Sequence, residues 1–327
     1  MIIRLVPGVK ATGHLKFSRC PTVLCYEMTV QKMKKNRVIK FESKERILQK
    51  ARSYVESVET FFDESDRAIA LLLKAMKLAD RDLKREIMLL LGSFAKETVV
   101  WPLYDLMTDP SENEEIRHDA AIQLSVIGPL LKNSQLLVDR LLQEIGCTDT
   151  QRRLHATFAI GWEGNFLAAT SLIERLFDSD SEVQQTAVNA LCNLRDDRIL
   201  DLLLDRLNHG PFEQKRIILF NLWRFYSKRE KVTQVYIKCL DDENAELRFD
   251  ALVCLGPITE VRNHVDMYRK CLKDKDGRIR ELALKRLAEE ASDAVRESCR
   301  AEIQALLDDP DMKVKRAAVR FLSKNGE

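Results

Sequence analysis

The chain repeats itself at intervals of 31 to 36 residues over most of its length. Each repeat has a reference position at the start of a predicted second helix: Leu83, Ile116, Arg152, Val183, Gln214, Leu247, Ile279 and Val314. Alanine or isoleucine stands four residues later, and leucine or isoleucine stands eight residues later. Residues that recur at i, i+4 and i+8 share one face of a helix, so each repeat contains a helix with an apolar face.

A first helix is predicted before each of these second helices. Apolar residues stand eleven and seven positions before most reference positions, as in Leu72 and Met76 or Leu203 and Leu207. In the second repeat, an insertion at 109–115 shifts the count, and Leu103 and Met107 occupy the two apolar positions. Neither helix of a pair can bury its apolar face alone, whereas stacked pairs form one continuous core. The sequence therefore predicts an all-α, right-handed α-solenoid of about eight helix pairs within residues 66–327.

Charged residues recur around the linker inside each pair. Acidic residues cluster just before the reference position, where carboxylates can accept the free amide protons of the second helix. A cation directly follows the reference position in every repeat except the fourth, which has Gln184. The cations are Lys84, Arg117, Arg153, Lys215, Arg248, Arg280 and Lys315. The spacing predicts a ladder of hydrogen-bonded ion pairs between neighbouring repeats.

Two runs carry a resemblance to a known family. Residues 116–121 read IRHDAA and residues 247–256 read LRFDALVCLG. They resemble HEAT-like repeats, a family that includes the short bacterial repeats of phycobilin lyases, and the resemblance covers about residues 66–325. It implies an α-solenoid, and for function it implies a scaffold, an adaptor or another binding surface. The tetratricopeptide pattern fits less well, because that repeat lacks the acid-then-base linker.

Composition limits the class of protein further. The chain of 327 residues is 45% hydrophobic and 32% charged, as expected of an ordered protein, and its 11 glycines and 8 prolines are too few for a turn-rich β-protein. No apolar run approaches the roughly 18 residues of a membrane span. Most of the 8 cysteines fall inside helical patterns, where cysteine acts as a small apolar residue. These thiols indicate a reducing compartment, and we expect a cytoplasmic protein.

The first 42 residues differ from the remainder in charge. They contain nine lysines and arginines against two glutamates, a net charge of about +7. Alternation over 22–33 and 37–41 predicts a β-hairpin, and residues 43–65 are predicted to form a capping helix with Ser43 as its N-cap. The candidate contacts to a polyanion are Lys32, Lys34, Lys35, Arg37 and Lys40. The alternative is that these cations only solvate the hairpin.

Catalytic motifs are absent from the sequence. It has no phosphate-binding loop, no G-x-S-x-G turn and no H-E-x-x-H zinc motif. HEAT-like proteins similar to deoxyhypusine hydroxylase bind two irons through His-Glu pairs, and none of the 5 histidines here is followed by glutamate. His14, Cys20 and Cys25 have no convincing fourth metal ligand nearby. We therefore predict no catalytic residue, cofactor or metal, and enzymatic activity stays open but disfavoured.

The third and fifth repeats depart from the common pattern, and departures of this kind often mark function. Residues three, six and ten positions after the reference are predicted to face a concave groove. Elsewhere these positions are mostly charged, as at Glu86, Asp119 and Lys285. In the third to fifth repeats the candidate contacts to a protein or peptide are His155, Phe158, Trp162, Asn189, Phe220 and Arg224.

Two alternatives accompany this hypothesis. The large rings could instead fill a widened core, and Trp223, nine positions after its reference, is expected to be core. If Trp162 and Arg224 face the groove, the double variant Trp162→Ala, Arg224→Ala should abolish capture of a partner and leave the melting temperature nearly unchanged. The second alternative is nucleic-acid binding, because alkylpurine DNA glycosylases use HEAT-like repeats with aromatic and basic side chains on the concave face. The basic first 42 residues favour it, although phosphate binding needs many cations on one surface.

Overall fold

The computed structural model describes residues 43–94, 96–290 and 292–323, and every regular element in these ranges is helical. The predicted hairpin and the five basic candidates between Lys32 and Lys40 lie outside the described residues. In chain order the α-helices are α1 (Lys44–Glu56), α2 (Val58–Asp63), α3 (Ser65–Met76), α4 (Arg81–Gly92), α5 (Glu97–Thr108), α6 (Glu114–Ile127), α7 (Gln135–Ile145), α8 (Thr150–Ile160), α9 (Ala169–Arg175), α10 (Ser181–Asn193), α11 (Arg198–His209), α12 (Phe212–Asn221), α13 (Arg229–Cys239), α14 (Ala245–Leu255), α15 (Val265–Cys271), α16 (Gly277–Glu290), α17 (Asp293–Ser298), α18 (Arg300–Ala305) and α19 (Met312–Ser323).

The capping segment is two helices rather than one. Ser43 caps α1 as predicted, accepting a hydrogen bond from the Arg46 amide. The chain then leaves the helix at Ser57, whose side chain accepts from the Thr60 amide and caps α2. Helix α1 packs on α3 and α4 and thus covers the first pair of the stack.

The stack consists of consecutive helix pairs. Each first helix packs on the second helix that follows it, as α5 does on α6 and α7 on α8. Most second helices also pack on the second helix of the next pair, from α4 to α6 to α8 to α10, and from α12 to α14 to α16 to α19. Contacts between α10 and α12 are weaker than at any other of these junctions. The predicted all-α solenoid is confirmed for the described residues.

The predicted apolar faces form the core. Every residue four positions after a reference is buried, including Ile87, Ala156 and Ala318. The residues at eight positions are buried up to Leu287, but in α19 the half-buried Leu322 yields its place to Phe321. The first helices show one similar change at the end of the stack. A 3-10 turn at Leu306–Asp308 buries Leu306 and exposes Leu307, so the prediction fails only in this last pair.

The predicted ladder of ion pairs is present at several junctions. In three of them a guanidinium makes two hydrogen bonds to a carboxylate in the linker of the next pair: Arg153 to Asp178 (3.0 and 2.9 Å), Arg248 to Asp274 (2.8 and 2.8 Å) and Arg280 to Asp309 (2.7 and 2.7 Å). The same guanidiniums donate to carbonyls of their own linkers, as Arg280 does to Asp274 and Lys275. Each arginine therefore holds two successive linkers together.

The ladder is interrupted where the sequence lacks a partner. Arg117 donates to the Met107 carbonyl instead of a carboxylate. Gln184 replaces the cation in α10 and donates to the Asp178 carbonyl at 2.6 Å. The linker that follows α11, at 209–211, contains no acid. Both members of an ion pair are therefore missing between α10 and α12, the junction where the second helices pack most weakly.

The ladder predicts a loss of stability in acid. Burial alone would raise the pKa of Asp178, but hydrogen bonds from Arg153 and from the Asp180 amide outweigh it and lower the pKa. The pKa values of Asp274 and Asp309 are lowered for the same reasons. Because an unfolded aspartate has a pKa of about 3.9, the unfolded chain binds more protons in acid. Stability should be complete above that pH and should fall as the pH drops below it.

Urea unfolding measured between neutral pH and about pH 3 tests this expectation. The variant Asp178→Asn has lower stability at neutral pH, since it lacks the charge, and a smaller loss on acidification than the parent. A parent whose free energy of unfolding is constant over this range would contradict the argument.

None of the described helices combines the length and apolar character that crossing a membrane requires.

Candidate functional site

The six predicted groove residues lie in two different environments. Asn189 and Phe220 are exposed, and Phe158 and Arg224 are half-buried. His155 and Trp162 are only 1% and 7% exposed, which corrects the expectation that they face an open groove.

The prediction for His155 failed because side chains three positions after the reference do not lie on the open face. Side chains there enter the crevice between successive second helices, where the neighbouring second helix buries them partly or fully in every repeat after the first. Asp250 is buried in this way and accepts a hydrogen bond from Arg216 of the preceding pair at 2.5 Å. Asp119 likewise accepts from Arg85 at 2.5 Å. The open face of the stack is the ridge six positions after the reference, which includes Leu89, Asn189, Phe220, Val253, Lys285 and Arg320.

His155 illustrates the crevice environment. Burial, followed by the nearby charge of Arg117 and the His118 ring, lowers the pKa of His155 to about 4. The imidazole is therefore neutral near pH 7. Its ring centroid lies 6.0 Å from that of His118, and its Nδ1 atom has no hydrogen-bond partner among the described residues. His155 contributes a neutral ring to the junction between α6 and α8.

Trp162 closes the same junction just beyond the end of α8. Helix α8 ends at Ile160, and the bend at Gly161 turns the Trp162 ring onto the end of α6. A Cβ on Gly128 would lie 2.9 Å from that ring, so Gly128 has room for no side chain. The tryptophan is a core residue, and the glycine beneath it is its packing partner.

Small residues nine positions after the reference permit close approach between second helices. A Cβ at Gly161 would lie 2.5 Å from the Ala190 Cβ, and one at Gly256 would overlap the Arg286 guanidinium. Gly92 approaches Gln123 in the same way. This place is occupied by glycine, serine, alanine or cysteine in every repeat but one.

The exception is Trp223, which follows α12. Its ring is too large for the crevice and is 52% exposed, so the expectation that Trp223 belongs to the core is wrong. The chain passes from α-helix to a 3-10 turn at Leu222–Arg224. The sequence alone shows Trp223 at this place. Its exposure could be predicted only by noticing that the other repeats have a small residue nine positions after the reference.

Trp223 belongs to a small exposed surface across the weakest junction. The Arg224 Nη1 donates to the Asn189 Oδ1 at 3.3 Å, which connects the end of α12 to α10. The Arg224 guanidinium carbon lies 5.1 Å from the centre of the Trp223 ring. Phe220, 41% exposed, precedes them in α12. We call Asn189, Phe220, Trp223 and Arg224 the aromatic surface.

The chemistry of the aromatic surface is that of binding. It offers two exposed rings, an amide and the half-buried planar cation of Arg224. None of these groups is a nucleophile or a general base. Burial raises the pKa of the neighbouring Cys192 thiol, so that thiol is protonated near pH 7. Across the described ranges, no three histidine, cysteine or acidic side chains come together as a metal site.

Comparisons with known proteins concern the fold alone. No family model and no curated protein matches the chain. An engineered protein of known structure aligns with 89% of this chain and 87% of its own, at 18% identity and a TM-score of 0.38. A structure describing Kap95p binding to RanGDP aligns with 90% of this chain but 42% of that one, at 14% identity and a TM-score of 0.46. The CpcE–CpcF complex of phycocyanin lyase from Nostoc sp. PCC7120 aligns with 73% and 94%, at 18% identity and a TM-score of 0.34.

The stacked helix pairs and their linker ladder confirm that the repeats are HEAT-like. Function has to be argued from the exposed side chains of this chain.

Proposed function

We propose that this protein is a non-enzymatic scaffold, a right-handed solenoid of about eight HEAT-like helix pairs that binds a protein or peptide on its concave face. The single observation that carries the proposal is the exposed Trp223, which stands where the other repeats require a small residue. Tryptophan and arginine are the residue types most enriched at the energetic centres of interfaces. The aromatic surface combines both.

The position of the aromatic surface supports the proposal. It lies at the junction where the ladder has no ion pair and α10 and α12 pack weakly. A partner bound there would contact both helices and would add the interactions that this junction lacks. Phe220 and Trp223 would supply apolar contacts, and Arg224 and Asn189 would supply hydrogen bonds. His155 and Trp162 are left out of the contact set because they are buried.

The nucleic-acid alternative has less support from the described residues. The aromatic surface contains a single arginine, whereas affinity for a phosphate backbone requires several cations on one face. We also place the protein in the cytoplasm, because its described cysteines are free thiols, as is common in a reducing compartment.

Replacing Trp223 with alanine should weaken partner binding by at least about 30-fold, as expected of an interfacial tryptophan. A partner is first isolated by affinity capture from the native cell and then titrated, as a purified protein, against parent and variant. Leu89→Ala is the matched control, because Leu89 is also an exposed apolar residue but lies on α4, far along the stack from the aromatic surface. Equal affinity of the parent and Trp223→Ala would refute the proposed surface.

A further inference from the structure

The last two second helices, α16 and α19, enclose a groove of about 580 Å³ on the open face of the stack. Its floor is apolar and consists of Leu284, Ala288 and Ala317. The α19 wall is basic, with three exposed cations: Lys313, Arg316 and Arg320. Lys285 lies on the opposite wall.

The three groove cations of α19 differ from most arginines of the stack in having no partner among the described residues. Arg280 of α16 is held by Asp309 and by two carbonyls, and Arg278 is paired with Glu246 and Asp276. By contrast, no hydrogen bond or ion pair to another described residue engages the side chains of Lys313, Arg316 or Arg320. Their charge is available to an anion from outside.

The opposite wall limits which anion can bind. Glu281 pairs with Lys285 at 2.8 Å, and Glu289 adds a second carboxylate to the lining. The positive field is therefore confined to the α19 side. A continuous phosphate backbone would pass close to Glu289, and no aromatic ring lines the groove on which bases could stack. A ligand with separated negative charges and apolar groups between them fits this arrangement better.

The spacing of the groove arginines indicates which class of peptide would fit. Arg316 and Arg320 are four residues apart on one helix, so they are separated by about 6 Å along the axis. Alternate residues of an extended peptide are about 6–7 Å apart and point the same way. We propose that this groove binds an extended acidic peptide segment of a partner, in which acidic residues alternate with apolar ones. The carboxylates pair with Arg316 and Arg320, and the apolar side chains, on the opposite face of the peptide, contact the half-buried Ala288 on the α16 side.

The proposal is tested with the full chain and a fluorescein-labelled peptide of about eight residues in which glutamate alternates with leucine. Fluorescence anisotropy should show saturable binding that weakens as salt is added, because exposed ion pairs are screened. The double variant Arg316→Gln, Arg320→Gln should bind at least about tenfold more weakly, a loss of two charge-assisted contacts. A peptide with glutamine in place of glutamate should show the same loss with the parent protein.

A matched double variant controls for net charge. Arg46→Gln, Arg67→Gln removes two exposed arginines, on α1 and α3, at the other end of the stack. It should bind the peptide as the parent does. Absence of binding by the parent, or an equal loss in both double variants, would overturn the proposal. A single-stranded oligonucleotide that binds more tightly than the peptide, with loss in the Arg316→Gln, Arg320→Gln variant, would overturn it in favour of nucleic acid.

The groove and the aromatic surface can fail independently. The Trp223→Ala protein should retain its affinity for the acidic peptide, because the groove lies on other helices. Loss of peptide binding in Trp223→Ala would place the peptide on the aromatic surface and would overturn the assignment to the groove.

Discussion

Replacing Arg280 with methionine is expected to lower the free energy of unfolding by about 3–5 kcal/mol, because it leaves a buried carboxylate without its partner. The side chains of Arg280 and Asp309 are 11% and 4% exposed, and they share two hydrogen bonds of 2.7 Å. After the change, the Asp309 carboxylate keeps one hydrogen bond from a described residue, donated by the Asp311 amide. Urea unfolding at neutral pH, with midpoint and slope determined for both proteins, measures the loss.

The control lies two residues away on α16. Arg278 also forms ion pairs, with Glu246 and Asp276, but its side chain is 48% exposed. Arg278→Met should therefore change stability by about 1 kcal/mol or less. Adding Asp309→Asn to Arg280→Met removes the unpaired charge and should restore part of the stability. Equal losses in Arg278→Met and Arg280→Met would contradict the assignment of the ladder as a buried structural feature.

The apolar pattern of the repeats predicted the stack because burial within a helix pair depends on residues of that pair. Ala251 and Leu255 follow the reference residue Leu247 by four and eight positions, and all three are buried. The pairing of Arg248 with Asp274 could also be anticipated, since both residues recur at fixed places in successive repeats. The regular parts of the fold thus follow from periodicity alone.

The open face was predicted less well because its exposure depends on the neighbouring repeat. His155 points away from its own first helix, as the periodicity indicates, but α6 and the adjoining junction bury it. Trp162 and Trp223 were assigned in reverse for the same reason. The bend at Gly161 turns Trp162 inward, and the crowded crevice forces Trp223 outward. The residue pattern of one helix does not reveal which of its side chains the neighbouring helix will bury.

Residues 209–211 are a sequence signal that could have pointed to the aromatic surface. They replace the acidic linker, and Gln184 replaces the cation that would have paired with it. The departure was visible in the sequence, but its consequence was not. The missing ion pair weakens the junction of α10 and α12, and Asn189 and Arg224 meet across it. The aromatic surface thus lies at the place where the repeat rule fails twice.

Replacing Trp162 with alanine is expected to lower the free energy of unfolding by about 3–5 kcal/mol, the usual range for a buried aromatic residue. The change removes the ring that packs on Gly128 and leaves a cavity between α6 and α8, since Gly128 has no side chain to fill it. This replaces the sequence-based expectation that the double variant Trp162→Ala, Arg224→Ala melts nearly as the parent does. Urea unfolding and thermal melting of the parent and Trp162→Ala proteins measure the effect.

Trp223→Ala is the matched comparison, because it removes the same ring from an exposed position and should cost about 1 kcal/mol or less. The two variants distinguish two causes of lost partner binding, namely unfolding of the protein and loss of a direct contact. Trp162→Ala reduces binding only as far as it unfolds the protein, and a stabilising condition should restore it. Trp223→Ala reduces binding in a fully folded protein, where no such condition helps. If Trp162→Ala were as stable as Trp223→Ala, the ring could not be packed in the core, and Trp162 would return to the set of possible partner contacts.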